Sequence, residues 1–458
     1  IQECARSFWT PSAADNYWAF LDPADQRGEC LAVPNSATSN YPDGPVVEKG
    51  GQAYIGRGAA ASALATASSR LVRTTAASTC GGGGATCALG LFADGNTAIT
   101  AGSLGASTAT ERTQYINWAR GADVQDEDGD SNVLEYRPSL HGDVIHSQPI
   151  ALDYAGDPDN PRVVVFYGSN DGMLHAINGN RSIAHNGTAL NTGTAAGQEF
   201  WAFMPPDYFP EIKRNFENTT VVRFPASGSN AGSSGEPKSY GPDGPLTAWD
   251  NGATNRHLYL GMRRGGRTIY GFDVTNITSP SLLFRLGCTT DSPDDTGCVT
   301  GWEDLGETWS PMNVAFVDNG AGGNTPYLIM GGGYDSCEDH DDLTTSPANH
   351  SCTASDDGNV IYVLDATTGA IVQSFPTERA VPGAVTIVPA SDVSPAELPW
   401  LNRVSGPVPL RRRPCHCVGF GGSPSPSCDS SSRCGSRGSP WVVSLLGRVS
   451  RPLSGTTR

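Results

Sequence analysis

One pattern of four short apolar strokes occurs three times along this chain, and it narrows the folds open to it. His146–Asp153, Arg162–Gly168, Gly172–Asn178 and Glu199–Phe203 make the first set. Leu246–Asp250, His257–Gly261, Arg267–Asp273 and Ser281–Arg285 make the second. Met312–Asp318, Tyr327–Gly331, Asn359–Asp365 and Ala370–Phe375 make the third. Val, Ile, Tyr and Phe dominate the strokes, as suits a pleated, half-buried surface, and Gly, Asp and Asn separate them. Four strands per repeat is the signature of a β-propeller blade. The expected fold is mainly β: an incomplete propeller over 138–392, with three blades and a fourth opening at Gly383–Val388.

The turns agree with that reading. Ser169-Asn-Asp-Gly172 joins the second and third strokes of the first unit, and Asp-Gly is a strong hairpin signal. Arg264-Gly-Gly266 takes the same place in the second unit, and Ser355-Asp-Asp-Gly358 in the third. The third turn follows an insertion beginning at Tyr334, an elaborated hairpin tip of the kind that often meets ligands.

Charge and cysteine usage bound the setting. The net charge is -17 and only Lys49, Lys213 and Lys238 are lysines, a balance that repels phosphate backbones and excludes nucleic acid as a partner. Divalent cations are the natural counter-ions. No run of 18 apolar residues spans a bilayer, and Ile1-Gln-Glu-Cys4 shows no basic or apolar leader, so a signal peptide is not expected in this sequence. Cys4 with Cys30, Cys80 with Cys87, Cys288 with Cys298 and Cys337 with Cys352 read as four local disulfides. Loops of this size contribute ~2–3 kcal/mol each in the chain-entropy model. Such pairs imply an oxidising compartment, the periplasm or cell exterior. No Cys-x-x-Cys occurs, and these spacings fit a zinc ribbon poorly.

Residues 1–137 read as an accessory region with one firm helix near 111–120. Thr108 and Glu111 have capping-box spacing, Tyr115, Ile116 and Trp118 supply apolar bulk, and Gly121 is a stop. At the other end, residues 393–458 carry nine arginines and two carboxylates, a net +7 against -24 before them. That Arg/Ser/Pro/Gly-rich tail reads as disordered or as an out-of-frame product, and no function is drawn from it.

Several phrases resemble the PilC/PilY family of type IV pilus tip adhesin and biogenesis proteins. They are Asn40-Tyr-Pro-Asp-Gly-Pro-Val-Val-Glu-Lys-Gly50, Ile116-Asn-Trp-Ala-Arg-Gly121, Arg137-Pro-Ser-Leu-His-Gly-Asp-Val-Ile-His-Ser147 and Tyr167-Gly-Ser-Asn-Asp-Gly-Met-Leu-His-Ala176. Gly266-Arg-Thr-Ile-Tyr-Gly-Phe-Asp-Val-Thr275 and Leu305-Gly-Glu-Thr-Trp-Ser-Pro311 follow in the family's order, so the resemblance covers about 38–392. It implies a C-terminal propeller related to quinoprotein propellers, at the pilus tip on the cell surface. Implied partners are minor pilins and a surface or host-cell receptor; implied roles are pilus extension and attachment, with calcium controlling retraction. The family's calcium loop would fall at Ser391-Asp392, where only Asp392 fits.

The candidate metal loop read from the residues themselves is Asp123 to Asn132. Asp126, Asp128 and Asp130 alternate as hard oxygen ligands for calcium do, and Asn132 takes the seventh position. Ser131 stands where such a loop has glycine, and Arg137 where it has a bidentate Glu. The competing reading is a solvated acidic linker. Asp335, Glu338, Asp339, Asp341 and Asp342 form a second acidic cluster, read mainly as a solvated face. His141 and His146, five apart on one strand, would face opposite sides, and His175 reads as a satisfied core histidine. No catalytic constellation stands out, so the expectation is a non-enzyme. The enzyme alternative is a quinoprotein dehydrogenase, suggested by the Asp365-Ala-Thr-Thr-Gly369 strand-end turn; a carbohydrate-binding secreted propeller is the third reading.

Overall fold

The computed structural model describes Ile55, residues 69–389 and two short strands beyond them. Left out within that span are 77–78, 84–86, 128, 138–139, 223–235, 253, 290–294, 319–323, 340, 343–348 and 351–356. Strands β1 (Val72–Thr75) and β2 (Leu89–Leu91) precede helix α1 (Ala109–Ala119). The first meander is β3 (Ile150–Asp153), β4 (Val163–Gly168), β5 (Leu174–Asn178) and β6 (Glu199–Phe203), followed by helix α2 (Phe209–Glu217). The second is β7 (Leu246–Asp250), β8 (Arg256–Gly261), β9 (Arg267–Asp273) and β10 (Ser281–Cys288). The third is β11 (Asn313–Asp318), β12 (Asn324–Gly331), β15 (Val360–Asp365) and β16 (Ile371–Pro376), with the small pair β13 (Asp341–Asp342) and β14 (Asn349–His350) inserted. Strand β17 (Thr386–Pro389) then pairs in parallel with β19 (Val442–Leu445), as does β18 (Val418–Gly419). Within each meander, neighbouring strands are antiparallel and sequential.

Two features differ from the sequence expectation. Strand β1 pairs in parallel with β6, placing Val72 opposite Ala202, so β1 and β2 extend the first sheet to six strands. His146–Pro149 is not strand; the first stroke shortens to Ile150–Asp153. His141 and His146 therefore share no strand, and the opposite-face argument does not apply to them.

Apolar faces stack the meanders in chain order. Phe166, Leu174, Trp201 and Phe203 share a core with Leu258, Tyr270 and Phe272. On the far side, Tyr259, Ile269 and Phe284 share one with Leu328, Tyr362 and Leu364. Fully burying each phenylalanine contributes about 1.5–3 kcal/mol. Two of the aromatics have their polar tips satisfied across the seams. Trp201 Nε1–H donates to Ile277 O at 2.8 Å, and the Tyr259 hydroxyl to Ala366 O at 2.8 Å. Helices α1 and α2 cover the outer side of β1 and β6 through Tyr115, Ile116 and Ile212. Helix α1 starts as its sequence requires: Thr108 Oγ1 accepts from Glu111 N–H, while the Glu111 carboxylate accepts from Ser107 N–H.

A recurring device ties each unit's lead-in segment to its second strand. Gly168 N–H donates to Ser147 Oγ, and Gly331 N–H donates to Ser310 Oγ, both at 2.8 Å. The second unit has Gly244 at this place, where an added Cβ would lie 2.0 Å from Gly261 O. Each lead-in also touches the preceding hairpin: Gly241 lies against Ser169 and Gly172, and Thr308 N–H donates to Gly266 O. Hairpin tips and lead-ins thus interlock along one end of the stack.

Candidate functional site

The acidic loop begins where α1 ends. Gly121 adopts φ 104°, and Arg137 N–H donates to its carbonyl, closing the loop at its base. The Asp123 carboxylate is buried and accepts the Glu127 N–H at 3.0 Å. Asp126 Oδ1 accepts from Ser131 N–H at 2.9 Å, Asp130 Oδ1 from Asn132 N–H at 2.7 Å, and Asn132 donates to Glu135 Oε2 at 3.2 Å. Ser131 takes φ 70°, the left-handed turn that a calcium loop assigns to glycine. The loop shares a calcium loop's turn at that one position. Its closing carboxylate is missing, because Arg137 lies over the Trp118 ring at 4.0 Å. Asp128 lies outside the described residues, and among the described residues no group of three His, Cys, Asp or Glu is placed to hold a metal.

Beside this loop lies a buried ionic cluster. Arg70 grips Glu199 with two bonds of 3.1 and 2.9 Å. His175 Nδ1 meets Glu199 Oε2 at 3.1 Å, and its Nε2 lies 3.2 Å from Asp171 Oδ2 and 2.9 Å from Ser169 Oγ. Hairpin geometry explains the meeting: Asp171 sits in the β4–β5 turn, and His175 one step into β5. Burial opposes the charge on His175, but Asp171 and Glu199 outweigh it and hold the imidazolium up to about 9. Burial likewise opposes the Glu199 charge, and Arg70 with His175 overcomes it, to about 2. Ser169, His175 and Glu199 lie in the order of a hydrolase triad. His175 is already protonated at neutral pH and so cannot take the serine proton, and Ser169 is buried. The cluster is an ion network. His175 is the satisfied core histidine that its strand position suggested, with two carboxylates as partners.

His141 caps the cluster. Its ring stacks on His175 at 5.1 Å, its Nδ1 is 2.7 Å from Gly142 O, and its Nε2 is 2.7 Å from the Tyr167 hydroxyl. His146 instead pairs with buried Asp243, Nδ1 to Oδ2 at 2.6 Å.

The second acidic cluster is partly neutralised. Asp339 accepts two bonds from Arg264 at 2.6 and 3.1 Å and one from the Tyr334 hydroxyl at 2.8 Å. Trp309 stacks on Tyr334 at 4.4 Å and lies under Arg263 at 3.9 Å. Asp335 caps Cys337 N–H, and nothing is described of the Asp341 and Asp342 side chains. Of the cysteines, Cys80–Cys87 and Cys288–Cys298 are disulfides, and Cys337 is disulfide-bonded. Cys4, Cys30, Cys352 and Asp392 lie outside the described residues. Two disulfides fit an extracytoplasmic protein. Among the described residues no helix is long and apolar enough to cross a membrane.

The partners of His175 escaped the sequence reading. Asp171 carried a signal, four residues before it across a tight turn, whereas Arg70 and Glu199 reach it only through strand pairing.

No family model matches the chain. A type IV pilus biogenesis factor PilY1 homolog of Xylella fastidiosa is 27% identical over 259 residues, 51% of this chain and 17% of that protein. The type IV pilus biogenesis factor PilY1 of Pseudomonas aeruginosa UCBPP-PA14 is 27% identical over 255 residues, 50% of this chain and 18% of its own length. The crystal structure of the Pseudomonas aeruginosa PilY1 C-terminal domain aligns at 22% identity with a TM-score of 0.27, over 50% of this chain and 33% of that one. That overlap is too loose to carry an argument. The matched segment thus spans less than a fifth of the two PilY1 proteins. Over about half its length, this mainly β chain is a relative of the PilY1 type IV pilus biogenesis factors, as its sequence phrases suggested.

Proposed function

We propose that this chain serves type IV pilus biogenesis from outside the cytoplasm, as part of a tip-associated factor that supports pilus extension and attachment to surfaces or host cells. The observation that carries the reading is the 27% identity to PilY1 proteins over about half the chain. The interlocked stack of four-stranded meanders supports it, since such a stack presents hairpin loops along one end. We read the stack as part of a propeller, with minor pilins and a surface receptor as partners and no catalysis of its own. Calcium modulation through Asp126, Asp128 and Asp130 belongs to the same proposal and rests on their spacing and on the Ser131 turn.

The test is a domain exchange. Residues 38–392 replace the matching segment of Pseudomonas aeruginosa PilY1, and surface piliation, twitching and adherence are measured in a strain lacking its own copy. Restored piliation is expected. A hybrid that is secreted and folded yet leaves cells without pili would overturn the assignment.

A further inference from the structure

The loop between β5 and β6 holds a histidine whose two ring nitrogens are both assigned by their partners. His185 is buried, its ring 5.0 Å from that of Phe200 on β6. Nε2 lies 3.1 Å from Val163 O on β4, an oxygen that only accepts, so Nε2 carries the proton. Nδ1 is left as a lone pair, and it accepts the Gly187 N–H at 3.2 Å. The charged groups facing the ring are Arg162, ahead of β4, and Asp153, at the end of β3. Burial first, then the Arg162 cation, hold the imidazole below its usual pKa, against the opposing pull of Val163 O and Asp153.

Between the histidine and the glycine stands Asn186, half-buried. Its Oδ1 accepts from the Thr188 N–H and the Thr188 hydroxyl, both at 3.0 Å, and from the Ala189 N–H at 2.7 Å. Arg162 Nη1 donates to Thr188 O at 2.9 Å and fixes the turn. Gly187 takes φ 85°, and a Cβ there would lie 2.6 Å from Ile277 Cγ2, so the turn admits only glycine. A backbone nitrogen, a base on its proton and three donors on the neighbouring amide oxygen are the parts of an acyl transfer. We propose that His185, Asn186 and Gly187 form a self-modifying site, which converts Asn186 to an aspartyl or isoaspartyl residue with water as the only co-reactant.

The Gly187 nitrogen attacks Asn186 Cγ while His185 Nδ1 takes its proton. The negative charge that develops on Oδ1 falls on the Thr188 and Ala189 donors. His185 returns the proton to Nδ2, the Cγ–Nδ2 bond breaks, and ammonia leaves behind a five-membered imide. Water then opens the imide at Cγ, giving aspartate, or at the Asn186 main-chain carbonyl, giving isoaspartate with one more methylene in the backbone. Asn178-Gly179 has the same dipeptide without the machinery. Asn178 is buried with Nδ2 bonded to Ile183 O and Thr194 O, both at 2.8 Å, and the Gly179 N–H donates to Val163 O instead of to a base.

The test is peptide mapping by mass spectrometry on the whole chain, incubated in heavy-oxygen water so that the new carboxyl is labelled. The same chain unfolded in guanidinium chloride gives the rate of the bare Asn-Gly sequence. At neutral pH the native chain is expected to convert Asn186 at least about tenfold faster than the unfolded one, because a placed general base contributes about 10²–10⁴. Its rate should level off above pH ~7, where His185 is already neutral, whereas the unfolded rate keeps rising about tenfold per pH unit with hydroxide. Thr188→Val, at an exposed position, removes one donor to the oxyanion and should slow the native rate at least about tenfold. A native rate at or below the unfolded one, a native rate that climbs with hydroxide, equal conversion at Asn178 and Asn186, or Thr188→Val at the native rate would each sink the site.

Discussion

Replacing Glu199 with Gln tests whether the buried ion network is a structural necessity. The substitution keeps the shape and removes one charge from between Arg70 and His175. Arg70 then loses the carboxylate charge and one of its two acceptors at 3.1 and 2.9 Å, since the Gln oxygen can accept only one of those bonds, while remaining desolvated. Breaking a buried pair from one side costs about 3–5 kcal/mol, because the survivor stays buried without a partner. For a chain of this size that is a fall on the order of 10 °C in Tm. Urea unfolding at pH 7 of the native chain, Glu199→Gln, Arg70→Met and the double variant gives the comparison. The double variant is expected to recover most of the loss, since no orphaned charge remains. The Glu199 carboxylate is depressed to about 2, so its contribution is present above the ordinary carboxylate range and fades as pH drops toward 2. A single variant within 1 kcal/mol of the native chain, or a double variant no better than Glu199→Gln, refutes the argument.

Trp201→Ala should lose about 3–5 kcal/mol in urea unfolding, because the indole is buried between the first two sheets and donates to Ile277 O. Converting Cys288 and Cys298 to Ser should cost about 2–3 kcal/mol by the same assay, as expected for a short loop closed at sequence separation 10. Calcium at roughly ten times a millimolar Kd should stabilise the chain by about 1.4 kcal/mol, raising Tm by roughly 3–5 °C. Asp126→Asn with Asp130→Asn should abolish the rise, and an unchanged melting curve with and without calcium removes the cation proposal.

The strand order was legible because its signals are local. Leu246–Asp250 and Glu199–Phe203 fall where their apolar runs and flanking turns put them. The helix at Ala109–Ala119 was announced by Thr108 and Glu111, which cap it. Pro149 and the polar run before it made the first stroke look longer than it is. The pairing of Val72–Thr75 with β6 joins residues about 130 positions apart, and no periodicity encodes so distant a partner. The ion network was hidden for the same reason. His175 and Asp171 are neighbours in sequence, but Arg70 meets Glu199 only after β1 has docked. The Cys80–Cys87 and Cys288–Cys298 disulfides, which join near neighbours, were readable from spacing alone.

The third hairpin tolerates a detour of more than twenty residues between Gly331 and Val360 while β12 and β15 keep an unbroken register. The stack is held by its faces and by backbone contacts at the base of each turn, so the turn itself is free to lengthen. Residues 169–172 and 264–266 occupy the same place in the other two units. Those two turns are pinned instead, Asp171 to His175 and Gly265 against Gly241, so the third hairpin is the natural grafting point, where a foreign epitope or a reporter peptide would extend a turn that already carries an insertion.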